Sequence, residues 1–309
     1  MKHFEKIIIL CGGQSGEREV SLHSAEPVFE TLKNLYPTQL LRLDENRLPT
    51  ELNPESDLIF PLIHGDFGED GRLQALLEER NFIYVGSDAK ASALCMDKMR
   101  SKHLAAENGL SVLPTVELTF GQALNKEMLE KTLKSTAFVL KPTDKGSSIG
   151  VHLCENFDAL CAAWAEVQEG HWMVEPYVHG RELTVGILHG KAIGVGEICP
   201  KEGFYDYHNK YTEGACDYFF PALLEDTVEE RLRRIAEIFF KAAACRDFGR
   251  ADFIMDTDGN VWFLEMNTIP GMTAQSLLPK SAACVGISFK ELLKRLIERT
   301  CRRSGRFFS

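Results

Sequence analysis

The segment from Arg250 to Gly271 restricts the fold more than any other part of this chain. Two runs within it, Arg250–Asp256 and Val261–Asn267, alternate side-chain type with period two. They flank the sequence Thr-Asp-Gly-Asn at 257–260, which is typical of a tight turn between two strands. The pattern therefore predicts an antiparallel hairpin.

The predicted hairpin places acidic side chains opposite each other. The loop could comprise residues 258–259 or residues 257–260, and both lengths give the same pairing. Asp252 then lies opposite Glu265 and Arg250 lies opposite Asn267, with all four side chains on one face. Because facing carboxylates repel, a fold that keeps them together usually supplies a cation. Oxygen ligands from Asp252, Glu265 and Asn267 favour Mg²⁺ or Mn²⁺, with phosphate completing the coordination. The alternative is a solvent-exposed hairpin face with ordinary polar residues.

The composition is typical of a globular enzyme with two or three structural units. The chain has 309 residues, of which 44% are hydrophobic and 26% are charged. Its formal net charge of −10 argues against a surface that binds nucleic acid or anionic lipid. Nine cysteines without a C-x-x-C pair fit neither a disulfide framework nor a zinc site. The early apolar run Ile7–Cys11 is too short for a signal peptide or a membrane span, so we expect a cytoplasmic protein.

Strands and helices alternate in the first hundred residues. The predicted order is strand Lys6–Cys11, helix Glu19–Leu35, strand Asp57–Ile63, helix Arg72–Arg80 and strand Phe82–Val85. This order is typical of a parallel, doubly wound α/β sheet. Ligands of such sheets bind at the carboxyl ends of the strands, where the loops at 12–18 and 64–71 carry Glu17 and His64. We interpret these loops as the wall of a pocket for a polar small molecule, with plain tight turns as the alternative.

Two later segments have the composition of nucleotide-binding loops. Residues 141–150 lie between the β-like runs Phe138–Lys141 and Val151–Cys154, and their small side chains leave backbone N–H groups free to surround an anion. We interpret this segment as a hairpin lid over phosphates, and the alternative is a plain mobile turn. Residues 178–180, after the strand Trp172–Tyr177, could contact a flat base, or they could simply be a buried strand end.

The last third of the chain contains one irregular loop and two helix signals. Residues 204–218 are rich in aromatic and polar side chains and predict either an active-site cover or a surface loop. Thr227 with Glu230 predicts a capping box for a helix that continues through Cys245. Ser288 with Glu291 predicts a second capping box for the last helix.

Together these segments resemble the ATP-grasp ligases, and within them the D-alanine–D-alanine ligase family. The resemblance extends over essentially the whole chain. It rests on GGQSGEREVSL (12–22), HGDFGEDG (64–71), MDKMRSK (96–102), KPTDKGSSIGV (141–151), EPYVHGRELTVGIL (175–188), FYDYHNKY (204–211), GRADFIMD (249–256) and LEMNTIPGMTAQSLLP (264–279). The chain departs from the family at Pro176, where a lysine is frequent, and at Ala274 and Gln275, which replace a serine and a histidine.

The resemblance implies an ATP-binding set in which two lysines hold the α- and β-phosphates, the lid covers the γ-phosphate and other residues bind adenine and ribose. This set is Lys98, Lys141, Ser148, Glu175, Val178, Glu182 and Lys210. Asp252, Glu265 and Asn267 match the family's ligands for Mg²⁺ or Mn²⁺, with two ions implied. The metal ligands agree with those expected from the hairpin.

The resemblance also implies catalytic and substrate-binding residues. Glu17 matches the acid that receives the ammonium group of the first substrate, and in the family it is linked by hydrogen bonds to Ser147 and Tyr211. Arg250 and the N–H of Gly271 match the groups that stabilise the tetrahedral centre. The implied contacts of the substrate are His64, Ser276 and Leu277, the last two for the second carboxylate.

The fold implied is α/β, with a doubly wound N-terminal domain (1–97), a central ATP-grasp subdomain (98–181) and a C-terminal ATP-grasp subdomain (182–309). The activity implied is ATP-dependent ligation of two D-alanines through an acyl phosphate, for the synthesis of peptidoglycan precursors, by a cytoplasmic homodimer. One alternative is a D-alanine–D-lactate ligase or another carboxylate–amine ligase of the same superfamily. A second alternative is a nucleotide-binding regulator without catalytic activity.

Overall fold

The structure is a computed structural model, which describes residues 3–201 and 214–308. The strands are β1 (His3–Phe4), β2 (Lys6–Gly12), β3 (Thr38–Leu43), β4 (Asp57–Pro61), β5 (Ile83–Tyr84), β6 (Val116–Thr119), β7 (Phe138–Pro142), β8 (His152–Cys154), β9 (His171–Pro176), β10 (Gly180–Leu188), β11 (Lys191–Pro200), β12 (Cys216–Phe219), β13 (Phe248–Asp256), β14 (Val261–Asn267) and β15 (Phe307–Phe308). The helices are α1 (Arg18–Leu32), α2 (Arg72–Glu79), α3 (Ala89–Met96), α4 (Lys98–Glu107), α5 (Lys126–Leu133), α6 (Phe157–Glu166), α7 (Asp226–Ala242), α8 (Leu277–Cys284) and α9 (Phe289–Ser304).

The first sheet is parallel, with the strand order β3-β2-β4-β5. Ile7 and Ile9 of β2 pack in one core with α1 and α9, whereas Ile8 and Leu10 pack in a second core with α2. Because successive strand residues point to opposite faces, helices cover both faces of the sheet. The doubly wound α/β prediction is therefore confirmed. The sequence pattern missed the edge strand β3, whose residues are mostly half-exposed and form no apolar run.

The remaining large sheets are antiparallel. One has the order β6-β9-β7-β8, and the other has the order β12-β11-β10-β13-β14. Helix α7 packs its apolar face on the second of these sheets, and α8 lies close to β10 and β11. Gly186 and Gly194 allow this approach, since a Cβ atom at either position would lie within 2.5 Å of an atom of Ser281 in α8. The two glycines thus let α8 pack closely on the sheet, and the start of this helix carries two of the predicted substrate contacts.

The hairpin β13–β14 has the predicted pairing, with Asp252 opposite Glu265 and Arg250 opposite Asn267. The predicted loop lengths are nevertheless wrong. Asp256 N donates to Asn260 O (3.0 Å), which closes a loop of three residues with Gly259 at a φ of +80°. Phe253 pairs with Phe263, so the register shifts by one residue beside Asp252. This bulge compensates for the odd loop length and restores the pairing of the carboxylates.

The serine half of one predicted capping box is present, and the carboxylate of its Glu291 accepts a hydrogen bond from Arg295 Nε (2.7 Å). Ser288 is the N-cap of α9, and its Oγ accepts a hydrogen bond from Glu291 N (3.2 Å). Thr227 is not a cap, because α7 already begins at Asp226 and its N-cap is Glu225, which makes no side-chain capping bond. The helix also ends at Ala242 and not at Cys245, since Ala244 adopts a left-handed conformation (φ 54°) that helical backbone excludes.

The first and last strands lie side by side, because β1 pairs with β15 in parallel. The rings of Phe4 and Phe308 lie 5.6 Å apart, and one core joins the parallel sheet to α8 and α9. Across 3–201 and 214–308, no helix combines the length and apolar character that crossing a membrane requires. The predicted division into three domains, at residues 97/98 and 181/182, stays a prediction.

Candidate active site

Two cavities meet at the polar face of the β13–β14 hairpin. The larger cavity, of about 820 Å³, contacts the predicted site residues Glu17, His64, Lys98, Ser147, Arg250, Glu265, Asn267, Gly271, Ser276 and Leu277. The smaller cavity, of about 180 Å³, contacts Lys98, Lys141, Ser148, Glu175, Val178, Glu182, Asp252 and Glu265. Lys98 and Glu265 line both cavities and mark their junction. Two other predicted residues, Lys210 and Tyr211, lie outside the described residues.

The facing carboxylates of the hairpin have cationic side chains beside them. The Arg250 guanidinium donates to both oxygens of Asp252, from Nε to Oδ1 (2.9 Å) and Oδ2 (3.2 Å) and from Nη2 to Oδ2 (2.6 Å). The Oγ1 of Thr184 also donates to Asp252 Oδ1 (2.7 Å), and Lys98 Nζ lies 3.7 Å from Glu265 Oε2. These cations supply the charge compensation that the sequence argument assigned to a metal ion. Repulsion between the carboxylates alone therefore does not require a metal.

The donor atoms on this face nevertheless suit a hard divalent cation. Asp252 and Glu265 lie directly across the hairpin, and Asn267 is two residues further along on the same face. The Oδ1 of Asn267 accepts one hydrogen bond, from Ile269 N (2.9 Å), and retains a lone pair. Within the described ranges no cluster of three His, Cys, Asp or Glu could hold a metal. Two carboxylates and one amide oxygen match the partial protein ligation that Mg²⁺ shows when phosphate and water complete its shell.

Glu175 is a buried carboxylate held by two lysines at the smaller cavity. It is 2% exposed, and its Oε2 lies 2.5 Å from Lys141 Nζ. Its Oε1 pairs with the Lys102 ammonium and accepts a hydrogen bond from Thr115 Oγ1 (3.1 Å). Burial raises the pKa of the Glu175 carboxyl, but the charges of Lys141 and Lys102 outweigh burial and lower this pKa to about 2. Glu175 therefore stays ionised and fixes Lys141 at the cavity wall.

Lys102 is the residue of this cluster that the sequence argument did not single out. Desolvation lowers its pKa, and repulsion from Lys141 acts in the same direction, while the Glu175 carboxylate opposes both. A signal for it was present in the sequence, because Lys98 and Lys102 are four residues apart and so lie on one face of helix α4. Its partner Glu175 is 73 residues away, and no local pattern connects the two.

The predicted lid joins the two cavities and is tied to the N-terminal loops. Ser147 and Ser148 adopt left-handed conformations, with φ values of 50° and 57°. The Oγ of Ser147 donates a hydrogen bond to Glu17 Oε1, and Lys145 Nζ lies 2.6 Å from Asp66 Oδ2. Because Ser147 lines the larger cavity and Ser148 the smaller one, the loop crosses their junction. Left-handed backbone at two serines is a local strain that the surrounding contacts maintain.

The two loops at the carboxyl ends of the parallel strands contact each other. The Oγ of Ser15 donates to His64 O (2.7 Å), and Gly65 N donates to Glu69 Oε2 (2.6 Å). Glu17 is 3% exposed, and a Cβ at residue 65 would lie 2.5 Å from its Oε2. Gly65 therefore leaves the space in which this carboxylate reaches the larger cavity.

The opposite wall of the larger cavity contains the start of helix α8. Ser276 is the N-cap of this helix, and its Oγ accepts a hydrogen bond from Thr273 N (3.1 Å) and contacts Thr273 Oγ1 (2.8 Å). A Cβ at Gly271 would lie 2.9 Å from Ser276 Oγ, so a side chain there would displace this hydroxyl. N–H groups at a helix start carry partial positive charge and favour an anion such as a carboxylate.

Comparison with known proteins identifies the family. A family model described as D-ala D-ala ligase C-terminus matches residues 104–298, and one described as D-ala D-ala ligase N-terminus matches residues 37–87. The chain belongs to the D-alanine–D-alanine ligase family. The D-alanine–D-alanine ligase of Methylacidiphilum infernorum (isolate V4) is 39% identical over 94% of each chain. The D-alanine–D-alanine ligase of Citrifermentans bemidjiense is 40% identical over 95% of each chain.

Solved structures of D-alanine–D-alanine ligases have the same fold. The enzyme from Bacillus anthracis complexed with ATP superposes with a TM-score of 0.86 at 31% identity, covering 98% of this chain and 99% of that chain. The VanG D-Ala:D-Ser ligase from Enterococcus faecalis superposes with a TM-score of 0.81 at 29% identity, covering 96% of this chain and 100% of that chain. The predicted doubly wound domain followed by an ATP-grasp fold is therefore confirmed for this member of the D-alanine–D-alanine ligase family.

Proposed function

We propose that the protein joins two D-alanine molecules to D-alanyl-D-alanine, with conversion of ATP to ADP and phosphate. The observation that carries the proposal is the junction of the two cavities at Lys98 and Glu265. One cavity has the lysines and lid expected for a nucleotide, and the other has the acid and helix start expected for amino acids. The terminal phosphate of ATP and the carboxylate of the first D-alanine would meet at this junction.

In the smaller cavity, the nucleotide would lie with its base near Val178 and its ribose near Glu182. Lys141 and Lys98 would hold the α- and β-phosphates, and the N–H groups around Ser148 would cover the γ-phosphate. Positioning and charge neutralisation are the main demands of phosphoryl transfer, and these residues meet both. Pro176 also lines this cavity, and it lacks the N–H and the amine that a lysine would offer there.

The first D-alanine would bind in the larger cavity with its ammonium group at Glu17. Its carboxylate oxygen would attack the γ-phosphorus, so that a new P–O bond forms while the bond to the ADP oxygen breaks. The product is an acyl phosphate, which water would hydrolyse. The contact between Ser147 and Glu17 supports a lid that excludes water, and Tyr211 is a second candidate for this closure.

The second D-alanine would place its carboxylate at the start of α8, beside Ser276 and Leu277. Its amine would attack the acyl carbon and form the C–N bond. The C–O bond to phosphate would then break, and the proton lost by the nitrogen would leave with the phosphate. Arg250 and the N–H of Gly271 would stabilise the negative oxygen of the tetrahedral centre. His64 would complete the wall of this pocket.

Asp252, Glu265 and Asn267 would hold Mg²⁺ or Mn²⁺, with two ions in the family pattern. Bound at this face, the metal would neutralise charge on the β- and γ-phosphates. Arg250 and Lys98 already lie beside these carboxylates, so positive charge is concentrated where phosphate charge would develop.

The proposal is tested by measuring phosphate release with ATP and Mg²⁺ in the presence of D-alanine, L-alanine, D-serine or D-lactate. We expect D-alanine to give the highest rate, with the dipeptide identified by mass spectrometry.

Asp252→Asn and Glu265→Gln should lower kcat at least about a hundredfold, as loss of a charge-stabilising group at a reacting phosphate does. Asp258→Asn, an exposed substitution in the loop of the same hairpin, should leave kcat unchanged. D-alanine-independent phosphate release in the wild-type protein would contradict the proposal.

A second candidate differs only in the second substrate. The VanG D-Ala:D-Ser ligase shares this fold at a TM-score of 0.81, so a mixed product is compatible with the architecture. In the family, a tyrosine at the position of Tyr211 accompanies D-alanine as second substrate, which favours the dipeptide over the D-lactate ester. An assay with equal concentrations of D-alanine and D-serine, in which mass spectrometry identifies the product, distinguishes the two candidates. We also propose that the protein is a cytoplasmic homodimer and that its domain boundaries lie near residues 97 and 181. Sedimentation velocity measures the oligomeric state.

A further inference from the structure

A third cavity, of about 520 Å³, shares no lining residue with the two catalytic cavities. It lies where the turn between β10 and β11, the end of α7, the segment before β13 and helix α9 come together. Its cationic lining residues are Lys191, Arg234, Lys241, Arg246, Arg299 and Arg303. This volume falls in the range of small-molecule pockets. We call it the basic cavity.

Positive charge in the basic cavity exceeds negative charge. Two carboxylates line it, and each already pairs with one cation. Asp247 Oδ2 lies 2.9 Å from Arg303 Nη2, and Glu237 Oε2 lies 3.1 Å from Lys191 Nζ. Of the other four cationic side chains, Arg246 lies 4.0 Å from Asp88, which is outside the lining. Arg234, Lys241 and Arg299 therefore give the cavity a net positive charge within a protein whose formal net charge is −10. Such a local reversal of sign attracts anions.

Two buried nitrogen atoms in the lining lack hydrogen-bond partners among the residues that the structure describes. They are Nη2 of Arg246 and Nε2 of His189. The rest of the Arg246 guanidinium is fixed, since Nε donates to Gly86 O (3.1 Å) and the group lies 5.1 Å from the ring centre of Tyr84. A buried polar atom without a partner costs stability, so the two residues keep hydrogen-bonding capacity next to the cavity.

We infer that the basic cavity is a second binding site, for a small molecule that carries phosphate groups. Guanidinium groups match phosphate oxygens in pairs, and the excess of cations over carboxylates in the lining suits a group with more than one negative charge. Ile238, Phe240 and Cys245 provide apolar surface for an organic portion of the ligand. The volume excludes a macromolecule, and it exceeds what a single chloride ion needs.

The site would connect to the catalytic cavities through strand β13. Arg246 and Asp247 line the basic cavity and immediately precede this strand, which continues to Arg250 and Asp252. Cys245 in the basic cavity and Cys95 in the larger catalytic cavity bring their sulfur atoms within 3.6 Å of each other. One layer of side chains therefore separates the two sites.

Binding is tested by calorimetric titration of the full chain with inorganic pyrophosphate in metal-free buffer. The test variant is Arg234→Gln/Arg299→Gln, which neutralises two exposed cations of the basic cavity. The control is Arg231→Gln/Arg302→Gln, which removes the same charge from exposed positions on the same two helices but outside the cavity. We expect the test variant to weaken one class of sites at least tenfold, and the control to stay within about twofold of wild type, because Debye screening limits distant charges.

A second measurement separates this cavity from the catalytic site. Burial lowers the pKa of His189, and the charge of Arg299 lowers it further, while Asp247 opposes both. A bound anion would raise this pKa, so pyrophosphate should shift the NMR titration of His189 to higher pH. His189→Gln assigns the signal. Equal affinities of the two double variants would overturn the inference, as would a His189 titration that saturating pyrophosphate leaves unchanged.

Discussion

Glu175 shows how two lysines can hold a carboxylate charged in a site that water barely reaches. Its pKa is lowered to about 2, because Lys141 and Lys102 outweigh the effect of burial. The carboxyl of an unfolded chain titrates near 4.3. The folded state therefore binds the proton less readily than the unfolded state does. Ionised Glu175 stabilises the fold fully above about pH 4.3, and this stabilisation is lost as the pH falls towards 2.

We predict that Glu175→Gln lowers the free energy of unfolding at pH 7 by roughly 3–5 kcal/mol, because two lysines then face each other without a buried partner charge. The difference from wild type should shrink as the pH falls from 5 to 2.5. Urea unfolding at several pH values measures it. Glu117→Gln, an exposed substitution in the same sheet, should follow the wild-type pH profile. A difference that stays constant down to pH 2.5 would contradict the assigned charge state.

Individual site residues could be predicted from the sequence where their partners are close to them along the chain. Asp252 and Glu265 could be paired from alternation and turn signals, since 13 residues separate them and one hairpin joins them. Lys102, on helix α4, could not be assigned in the same way, because its pairing depends on a carboxylate that the distant strand β9 contributes. Residues whose role arises from distant contacts carry no local signature, even when a resemblance identifies the segment that contains them.

The helix termini show why a motif needs its structural context. Thr227 with Glu230 and Ser288 with Glu291 have the same spacing, yet only Ser288 caps a helix. A cap must lie in extended backbone just before the first helical residue, and Thr227 is already inside the first turn. Context matters in the β13–β14 hairpin as well. Its carboxylates pair as predicted, although a three-residue loop and a bulge replace the predicted loop of two or four residues. The secondary-structure propensities of residues indicate that a helix or a hairpin is present, and tertiary packing sets where it begins and ends.

We predict that Ser288→Ala lowers the free energy of unfolding by about 1 kcal/mol, because the N–H of Glu291 loses its side-chain acceptor. Thr227→Ala is the matched control and should change this energy by less than about 0.5 kcal/mol, as an exposed helical substitution does. Chemical denaturation with an unchanged m-value makes the comparison. Equal losses in the two variants would show that Thr227 caps its helix after all.

In the whole molecule, Asp247 joins parts of the chain that are far apart in sequence. Its carboxylate is 4% exposed and accepts hydrogen bonds from Gly86 N (2.9 Å), Thr300 Oγ1 (3.3 Å) and Arg303 Nη2 (2.9 Å). Gly86 follows the parallel sheet, the other two donors belong to α9, and Asp247 itself precedes β13. One buried side chain thus links the N-terminal sheet, the last helix and the strand that carries Arg250 and Asp252, which we propose to act in catalysis and metal binding.

We predict that Asp247→Ala lowers the free energy of unfolding by roughly 3–5 kcal/mol. The Gly86 N–H and the Arg303 guanidinium lose this acceptor, and alanine disfavours the left-handed backbone at this position (φ 58°). Thr300 Oγ1 can still donate to Leu296 O (3.0 Å). Asp247→Asn should cost less, about 1–3 kcal/mol, since the amide oxygen still accepts hydrogen bonds and asparagine tolerates this conformation. Glu30→Gln, which breaks an exposed ion pair with Lys33, should cost less than about 0.5 kcal/mol. Urea unfolding followed by circular dichroism gives these values. If Asp247→Ala were as stable as Glu30→Gln, the contacts of Asp247 would not hold the three parts together, and packing of the shared apolar core would have to do so alone.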